Sequence, residues 1–372
     1  GNQIDMNVSM KSRRLAYYIT PHGFGQAVRS IEVIRYLLML APALEIVIVS
    51  TLPEFLVDQS LGGVVSVRRK QLDIGLVQRD SIRFDLSATL DRLQSLHDHR
   101  HALVADEIHF LKTQEIRAVV CDIPFLPFAA ASQAFIPAIG IGNFTWDWIY
   151  QAYASADSRW TPLVDWIRES YHKCHLLLQL PMHGDCSACP NIQDVPLVAR
   201  RAKRKREETL KILGLHLDQK VYLISFGWLE LGKTAQERLE EITDAVFLFK
   251  HPLSFHFRNG ICLDEHPLSY EDVVAAVDGV ITKPGYGIVS DCLAHGTPVI
   301  YTDRGFFPEY DILVQEMTKH LTTVYISSED FYAGKWEAAI EELGRQPRVP
   351  PTLPCNGAEV CAETILQYLD RP

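Results

Sequence analysis

Short runs of apolar residues alternate with longer amphipathic stretches along most of this chain, the pattern left by strands and helices in turn. Leu15–Ile19 reads as a buried strand, Thr20–Gly25 as a turn-rich loop, and Ile31, Ile34, Leu37 and Leu38 as the apolar stripe of a helix. Glu45–Ser50 and Val64–Val67 predict the next two strands, and Leu90, Leu93 and Leu96 mark a long helix reaching Phe110. Ala118–Asp122 predicts a strand that ends on a carboxylate, and Ala138–Ile141 another. Between them, Ile123–Gly142 is apolar apart from Ser132 and Gln133. Its length would suit a membrane span, but Pro124, Pro127 and Pro137 divide it into a helix between two buried strands. Strands alternating with helices over this distance indicate parallel β-α-β units.

The rhythm lapses over Pro181–Arg201, which holds three prolines and Gly184, and this segment reads as the crossing between domains. The alternation then restarts with strands expected at Val221–Phe226, Ala245–Phe249, Gly279–Ile281 and Pro298–Tyr301, and a final helix near Ala358–Leu369. The expected fold is α/β, with two Rossmann-like, doubly wound parallel-sheet domains in tandem. Their expected limits are 13–195 and 196–355, and a crossover helix at 356–372 packs back toward the first domain.

Length and composition narrow the class. A chain of 372 residues is too long for one ordinary core. Its 47% apolar and 22% charged residues are those of a globular enzyme. Lys and Arg number 36 against 46 Asp and Glu, for a net charge of −10, so no nucleic-acid partner is expected. Eight cysteines scattered through a large chain fit a reducing compartment. No charged n-region leads a hydrophobic core at the first residues, so the expectation is a cytoplasmic protein without a signal peptide.

Two glycine-rich turns are placed where chemistry is done in such folds. The first, Thr20-Pro21-His22-Gly23-Phe24-Gly25-Gln26-Ala27, joins a strand to a helix whose N-terminus offers unpaired N–H groups to an anion. A dinucleotide fingerprint would need a third glycine where Val28 stands, so a nicotinamide cofactor does not fit. The second, Thr282-Lys283-Pro284-Gly285-Tyr286-Gly287, also opens a helix, and Asp291 lies about one turn into it, where a carboxylate could take a ribose hydroxyl. The bland alternative for both is a tight strand-to-helix turn. Asn143-Phe144-Thr145-Trp146-Asp147-Trp148 follows a buried strand and suits a sugar- or acceptor-facing loop, against the alternative of a helix start capped by Thr145.

The pair of turns resembles the GT-B glycosyltransferases, two Rossmann-like domains that bind a nucleotide sugar in the cleft between them. The second turn is similar to the donor-binding turn of the families that include the lipid II-forming N-acetylglucosaminyltransferases. A closer resemblance is to the glycosyltransferase-like N-terminal region of plant arabinokinases. It is carried by His22-Gly23-Phe24-Gly25, Asn143–Asp147, Asp194-Val195-Pro196-Leu197-Val198 and Gly285-Tyr286-Gly287, in matching order from about Leu15 onward. The kinase half of those proteins has no counterpart in this sequence, and no sugar-kinase activity is expected.

The resemblance implies a sugar transfer from a nucleoside diphosphate donor, a UDP-sugar favoured, to an acceptor it does not identify, with no cofactor and no metal. It puts Gly227, Lys283, Gly285, Tyr286, Gly287 and Asp291 at the donor nucleotide, with the base near Leu263, Glu265 and His266. Phe307 and Glu309 would read the sugar, Glu309 otherwise being an exposed acid at a helix start. Gly23, Phe24, Gly25, Asn143 and Trp146 would lie on the acceptor side. Related proteins commonly carry a basic histidine where Gln26 stands here, and an amide cannot accept that proton. His22, Asp122 and Asp147 are the remaining candidates for catalysis. Gln26 equally favours a non-catalytic nucleotide-sugar sensor, and an epimerase acting on the donor alone is a third reading.

Two further signals stand apart. Cys186-Ser187-Ala188-Cys189 is a single CxxC near His183, short of the four ligands of a structural zinc site. Arg200–Arg206 packs six positive charges into seven residues. It reads either as the solvated start of a helix balanced by Glu207 and Glu208, or as a patch for anionic lipid or a phosphorylated acceptor at a membrane periphery.

Overall fold

In a computed structural model, the structure describes residues 13–61, 65–80 and 83–371. The chain divides into two compact units. The first takes the described residues up to Gln78, Phe84–Val198 and those from Cys355 on; the second takes Ala199–Pro354 with a short piece near Arg83.

The first unit is built on seven strands: β1 (Arg14–Ile19), β2 (Glu45–Val49), β3 (Ser66–Arg68), β4 (Ala118–Asp122), β5 (Ala138–Gly142), β6 (Leu176–Gln179) and β7 (Ile192–Asp194). They form one parallel sheet in the order β3-β2-β1-β4-β5-β6-β7. The central strands β4 and β5 are buried along their whole length, because a parallel sheet is covered on both faces. Val64, expected in the third strand, lies outside the described residues. The expected long helix from Leu90 to Phe110 is two, Leu86–Asp98 and Arg100–Thr113, broken at His99, where the backbone leaves helical geometry and its Nδ1 turns back to the Ser95 carbonyl at 2.7 Å. The segment Pro181–Arg201, read as the crossing between domains, contains β7, which pairs with β6.

The helix Phe24–Leu40 is buried nearly all round its central turns, because a second helix, Gly357–Leu369, packs on it. That last helix therefore belongs to the first unit. Its start needs glycine: a Cβ on Gly357 would fall 2.1 Å from the Pro196 carbonyl oxygen, and the Gly357 N–H donates to Leu197 O at 2.9 Å.

The second unit repeats the plan with β8 (Lys220–Ser225), β9 (Ala245–Phe249), β10 (Gly260–Cys262), β11 (Gly279–Thr282), β12 (Val299–Tyr301) and β13 (Thr323–Tyr325), all parallel, in the order β10-β9-β8-β11-β12-β13. Its core includes Phe247, Phe257, Phe331 and Trp336. Two doubly wound parallel sheets are thus present, as the alternation of the sequence implies. In each, consecutive connections diverge at one point, between β1 and β4 and between β8 and β11. Ligands of open α/β sheets settle beyond the carboxyl ends of strands at such a switch point. Among the described residues no helix is long and apolar enough to cross a membrane.

Candidate functional site

The first switch point presents His22. It stands on the loop after β1, just before the helix Phe24–Leu40, whose cap residue Gly23 has φ +97° and makes no side-chain capping bond. The imidazole Nε2 lies 3.2 Å from the Asp73 carbonyl oxygen and 3.4 Å from Asp73 Oδ1. Both neighbours are acceptors, so Nε2 carries the hydrogen and the lone pair of the neutral ring sits on Nδ1. Burial works against the charged ring, but the hydrogen bond and charge of Asp73 outweigh it and hold the His22 pKa above its ordinary value.

Asp73 is itself buried, and its Oδ2 accepts from the Trp146 indole N–H at 3.0 Å. Two residues on, Gly75 has φ +61°, and a Cβ there would strike the His22 ring at 2.6 Å. The Tyr150 hydroxyl donates to the Gly75 carbonyl at 2.7 Å. Trp146 and Tyr150 stack at 5.6 Å, and Tyr150 stacks on Trp160 at 5.5 Å. A column of aromatic rings thus braces the 73–75 loop, and that loop frames His22.

This changes the reading of Asn143–Trp148. The segment is a helix start, with Thr145 at the cap and the helix Trp146–Gln151 following. Trp146 is buried and offers no face to a sugar. Asn143 is buried as well: its side-chain oxygen accepts from Arg29 Nη1 at 2.8 Å. The same guanidinium grips both oxygens of the fully buried Asp122 at 2.6 and 2.8 Å, and Ser30 adds a hydroxyl at 2.7 Å. Asp122 is therefore a structural counter-ion, turned into the protein, with no approach for an acceptor hydroxyl. Asp147 is buried and paired with Arg168 at 3.0 Å; burial raises its pKa despite Thr145 and Arg168. Of the three candidates for catalysis, His22 alone is reachable. Gln26 is buried one turn below it, Gly25 is partly buried, and the Phe24 side chain lies outside the described residues.

The second switch point gathers positive charge. Gly227 is exposed on the loop after β8. Gly285 caps the helix Tyr286–His295 without a side-chain bond, and a Cβ on it would meet nothing within 4 Å. Lys283 precedes them; burial, reinforced by the Arg304 charge, lowers its pKa to about 8. Arg304, on the loop after β12, donates to the Pro284 carbonyl at 3.2 Å and to Glu309 Oε1 at 2.8 Å. Its guanidinium lies 4.4 Å from the centroid of Phe307. Lys283 and the Glu309-paired Arg304 thus stand beside the start of that helix.

Four expected donor residues have other work. Asp291 is buried, and both its oxygens are taken by Arg200: the backbone N–H at 3.1 Å and Nη2 at 2.8 Å. It anchors the entry segment of the second unit rather than facing a ribose. Glu309 is buried as the partner of Arg304, not an exposed acid. Tyr286 and Phe307 are buried too, while Gly287 is partly exposed in the first helical turn.

The basic run is largely neutralised. Arg200 pairs with Asp291 and Glu271, Arg204 with Asp272 and Glu208, and Arg206 with Asp278. Arg201, Lys203 and Lys205 alternate with them and are exposed. Cys186 and Cys189 are buried, with a turn bond from the Cys189 N–H to Cys186 O at 3.0 Å.

Asp73, Gly75 and Arg304 escaped the sequence reading. Asp73 and Gly75 lie in an irregular stretch with no motif, and only the fold brings them to His22. Arg304 sits three residues before Phe307, the expected sugar-reading aromatic, in a loop otherwise read for its carboxylate.

No family model matches the chain. It is 29% identical, over 98% of its length, to an L-arabinokinase of Arabidopsis thaliana, and spans 35% of that protein. Among solved structures it resembles the spinosyn forosaminyltransferase SpnP, with a TM-score of 0.60, 12% identity and coverage of 96% of this chain and 95% of that one. It resembles the calicheamicin glycosyltransferase CalG4 at a TM-score of 0.59, with 14% identity over 96% and 95%. A UDP-glucosyltransferase from Polygonum tinctorium capable of glucosylating indoxyl gives a TM-score of 0.57, with 13% identity over 97% and 99%. The fold, two parallel-sheet α/β units of GT-B type, is the one these glycosyltransferases share.

Proposed function

We propose that the protein is a glycosyltransferase that moves a sugar from a nucleoside diphosphate donor to an acceptor hydroxyl. The observation that carries the reading is the buttressed His22–Asp73 pair at the switch point of the first sheet. In this reading Nδ1 of neutral His22 takes the acceptor proton as the new glycosidic bond forms, and Asp73 stabilises the resulting imidazolium. Considered by itself, the second unit would hold the donor diphosphate at the helix start after Gly285, with Lys283 and Arg304 beside it. The name of the solved neighbours as nucleotide-sugar transferases supports the donor class, and a UDP-sugar is the first to try.

A second reading, a nucleotide-sugar sensor, is favoured by Gln26, which replaces a basic residue at the start of the first helix. Turnover separates the two. The protein is incubated with UDP-, GDP-, dTDP- and ADP-glucose, and release of free nucleoside diphosphate is followed by chromatography. A transferase leaks slow hydrolysis of one donor, and His22→Ala abolishes it. A donor that binds but is never turned over points to the sensor.

A further inference from the structure

A cavity of about 240 Å³ lies in the first unit, at the carboxyl ends of β2 and β3. It is small beside the roughly 300–1,000 Å³ of most ligand pockets, so its occupant is of amino-acid size. The floor is apolar. Ile48 of β2, Leu52 on the loop that follows and Val57 of the helix Glu54–Leu61 are buried there, and Val67 of β3 adds to the lining. Ser50 reaches the cavity too, but its hydroxyl is committed: it donates to the Ile19 carbonyl at 2.6 Å and accepts the Leu52 N–H at 3.3 Å.

Two exposed charged residues, Glu54 and Arg69, complete the lining. Arg69 Nη1 donates to the Leu52 carbonyl at 3.0 Å and Nη2 to the Thr51 carbonyl at 3.3 Å, which orients the guanidinium without neutralising it. Among the described residues neither charge is paired with the other or with any further ion. One cavity thus offers a fixed cation and a separate anion above a single apolar floor. An occupant that answers all three carries a carboxylate, an ammonium group and a short apolar side chain. A plain fatty acid leaves Glu54 unanswered, and a plain amine leaves Arg69 unanswered.

We propose that this cavity binds a free α-amino acid with an apolar side chain, its carboxylate on Arg69, its ammonium group on Glu54 and its side chain against Ile48, Leu52 and Val57. The site uses neither the His22–Asp73 pair nor the helix start at Gly285, so it does not rest on the transfer reading.

The test is calorimetric titration of the whole chain with leucine, valine and phenylalanine. The one that binds most tightly is then compared with its deaminated acid, its decarboxylated amine and glycine. At least one of the three is expected to saturate the protein below about 10 mM, and each analogue to bind about tenfold more weakly or worse. Glu54→Gln should reduce the amino acid to the affinity of its deaminated acid, and Arg69→Gln to that of its amine. The analogue series needs no variant, so it decides even if Arg69→Gln loosens the 51–52 loop. Saturation by none of the three overturns the site. So does an amino acid that binds no better than its single-charge analogues or glycine, or one whose affinity both variants leave intact.

Discussion

His22 and Asp73, fifty-one residues apart in sequence, meet with the imidazole Nε2 3.4 Å from the carboxylate Oδ1, while the other carboxylate oxygen is held by the Trp146 indole at 3.0 Å. An acceptor-activating histidine needs this arrangement, because it fixes the tautomer and balances the charge that proton transfer creates. His22→Ala should lower kcat by about 10²- to 10⁴-fold, the usual share of general-base catalysis, with an unchanged circular dichroism spectrum. Asp73→Asn should cost a large part of that while leaving donor affinity within twofold.

The pH profile follows from the same pair. Asp73 holds the His22 pKa above its ordinary value, so the neutral, proton-accepting ring is scarce on the acid side and the rate should rise with pH through that raised pKa. Asp73→Asn should move this limb toward lower pH. Stability runs the other way. The contribution of protonated His22 is full below the ordinary histidine value of about 6.5 and is lost as pH rises through the folded-state pKa. Rate and thermal denaturation measured over pH 5–9 check both signs.

Gly75 tests the frame around the histidine. Gly75→Ala adds a Cβ that meets the His22 ring at 2.6 Å in a backbone conformation that already disfavours side chains. The ring must move. The expected outcome is a destabilisation of about 1–2 kcal/mol from strain, with kcat falling more than donor affinity. Trp146→Phe keeps the ring stack but removes the N–H to Asp73, and should cost about 1 kcal/mol in a denaturant titration.

Asp122 and Asp291 should behave as structural residues. Asp122→Asn leaves the buried Arg29 without its counter-charge, a loss of about 3–5 kcal/mol. Asp291→Ala strips Arg200 of its two bonds to that carboxylate, leaving Glu271, and should lower the melting temperature with no specific loss of nucleotide affinity per folded molecule. Nucleotide titration of the folded fraction distinguishes this from a ribose contact, which would weaken binding without unfolding.

Lys283 gives the proposed diphosphate site its own pH signature. Its pKa near 8 means that the free site loses positive charge as pH rises through that value. Diphosphate affinity should be steady between pH 6.5 and 7.5 and fall between 8 and 9.5. Lys283→Gln should bind more weakly at pH 7 and lose most of that pH dependence.

Much of the fold was legible because parallel strands buried on both faces leave uninterrupted apolar runs, as Ala118–Cys121 and Val221–Ile224 do. The strands that escaped notice are β6, β7, β10 and β13; the last three have three residues each and form sheet edges, where burial is incomplete, while β6 is a buried run of four, Leu176–Gln179, too short to stand out after the helix before it. His22 and the glycine turns could be found because strand-to-helix junctions carry local composition. The carboxylates misled for one reason. Asp122, Asp147, Asp291 and Glu309 stand at strand ends and first helical turns, where ligands are also held. Whether such a side chain faces solvent or an arginine depends on Arg29, Arg168, Arg200 and Arg304, which come from remote parts of the chain or adjoining loops. Asp73 had no local signature at all; it acquires its role from a histidine two strands earlier and an indole two strands later.

The most direct test is a thermal-shift panel of UDP, GDP, dTDP and ADP on the wild type and on Lys283→Glu. A ligand at about a hundred times its dissociation constant stabilises by roughly 2.7 kcal/mol, an easily measured rise in melting temperature. The account predicts that one nucleoside diphosphate raises the wild-type melting temperature and that charge reversal at Lys283 abolishes the rise. A wild type indifferent to every nucleotide, or a rise that Lys283→Glu leaves intact, would contradict it.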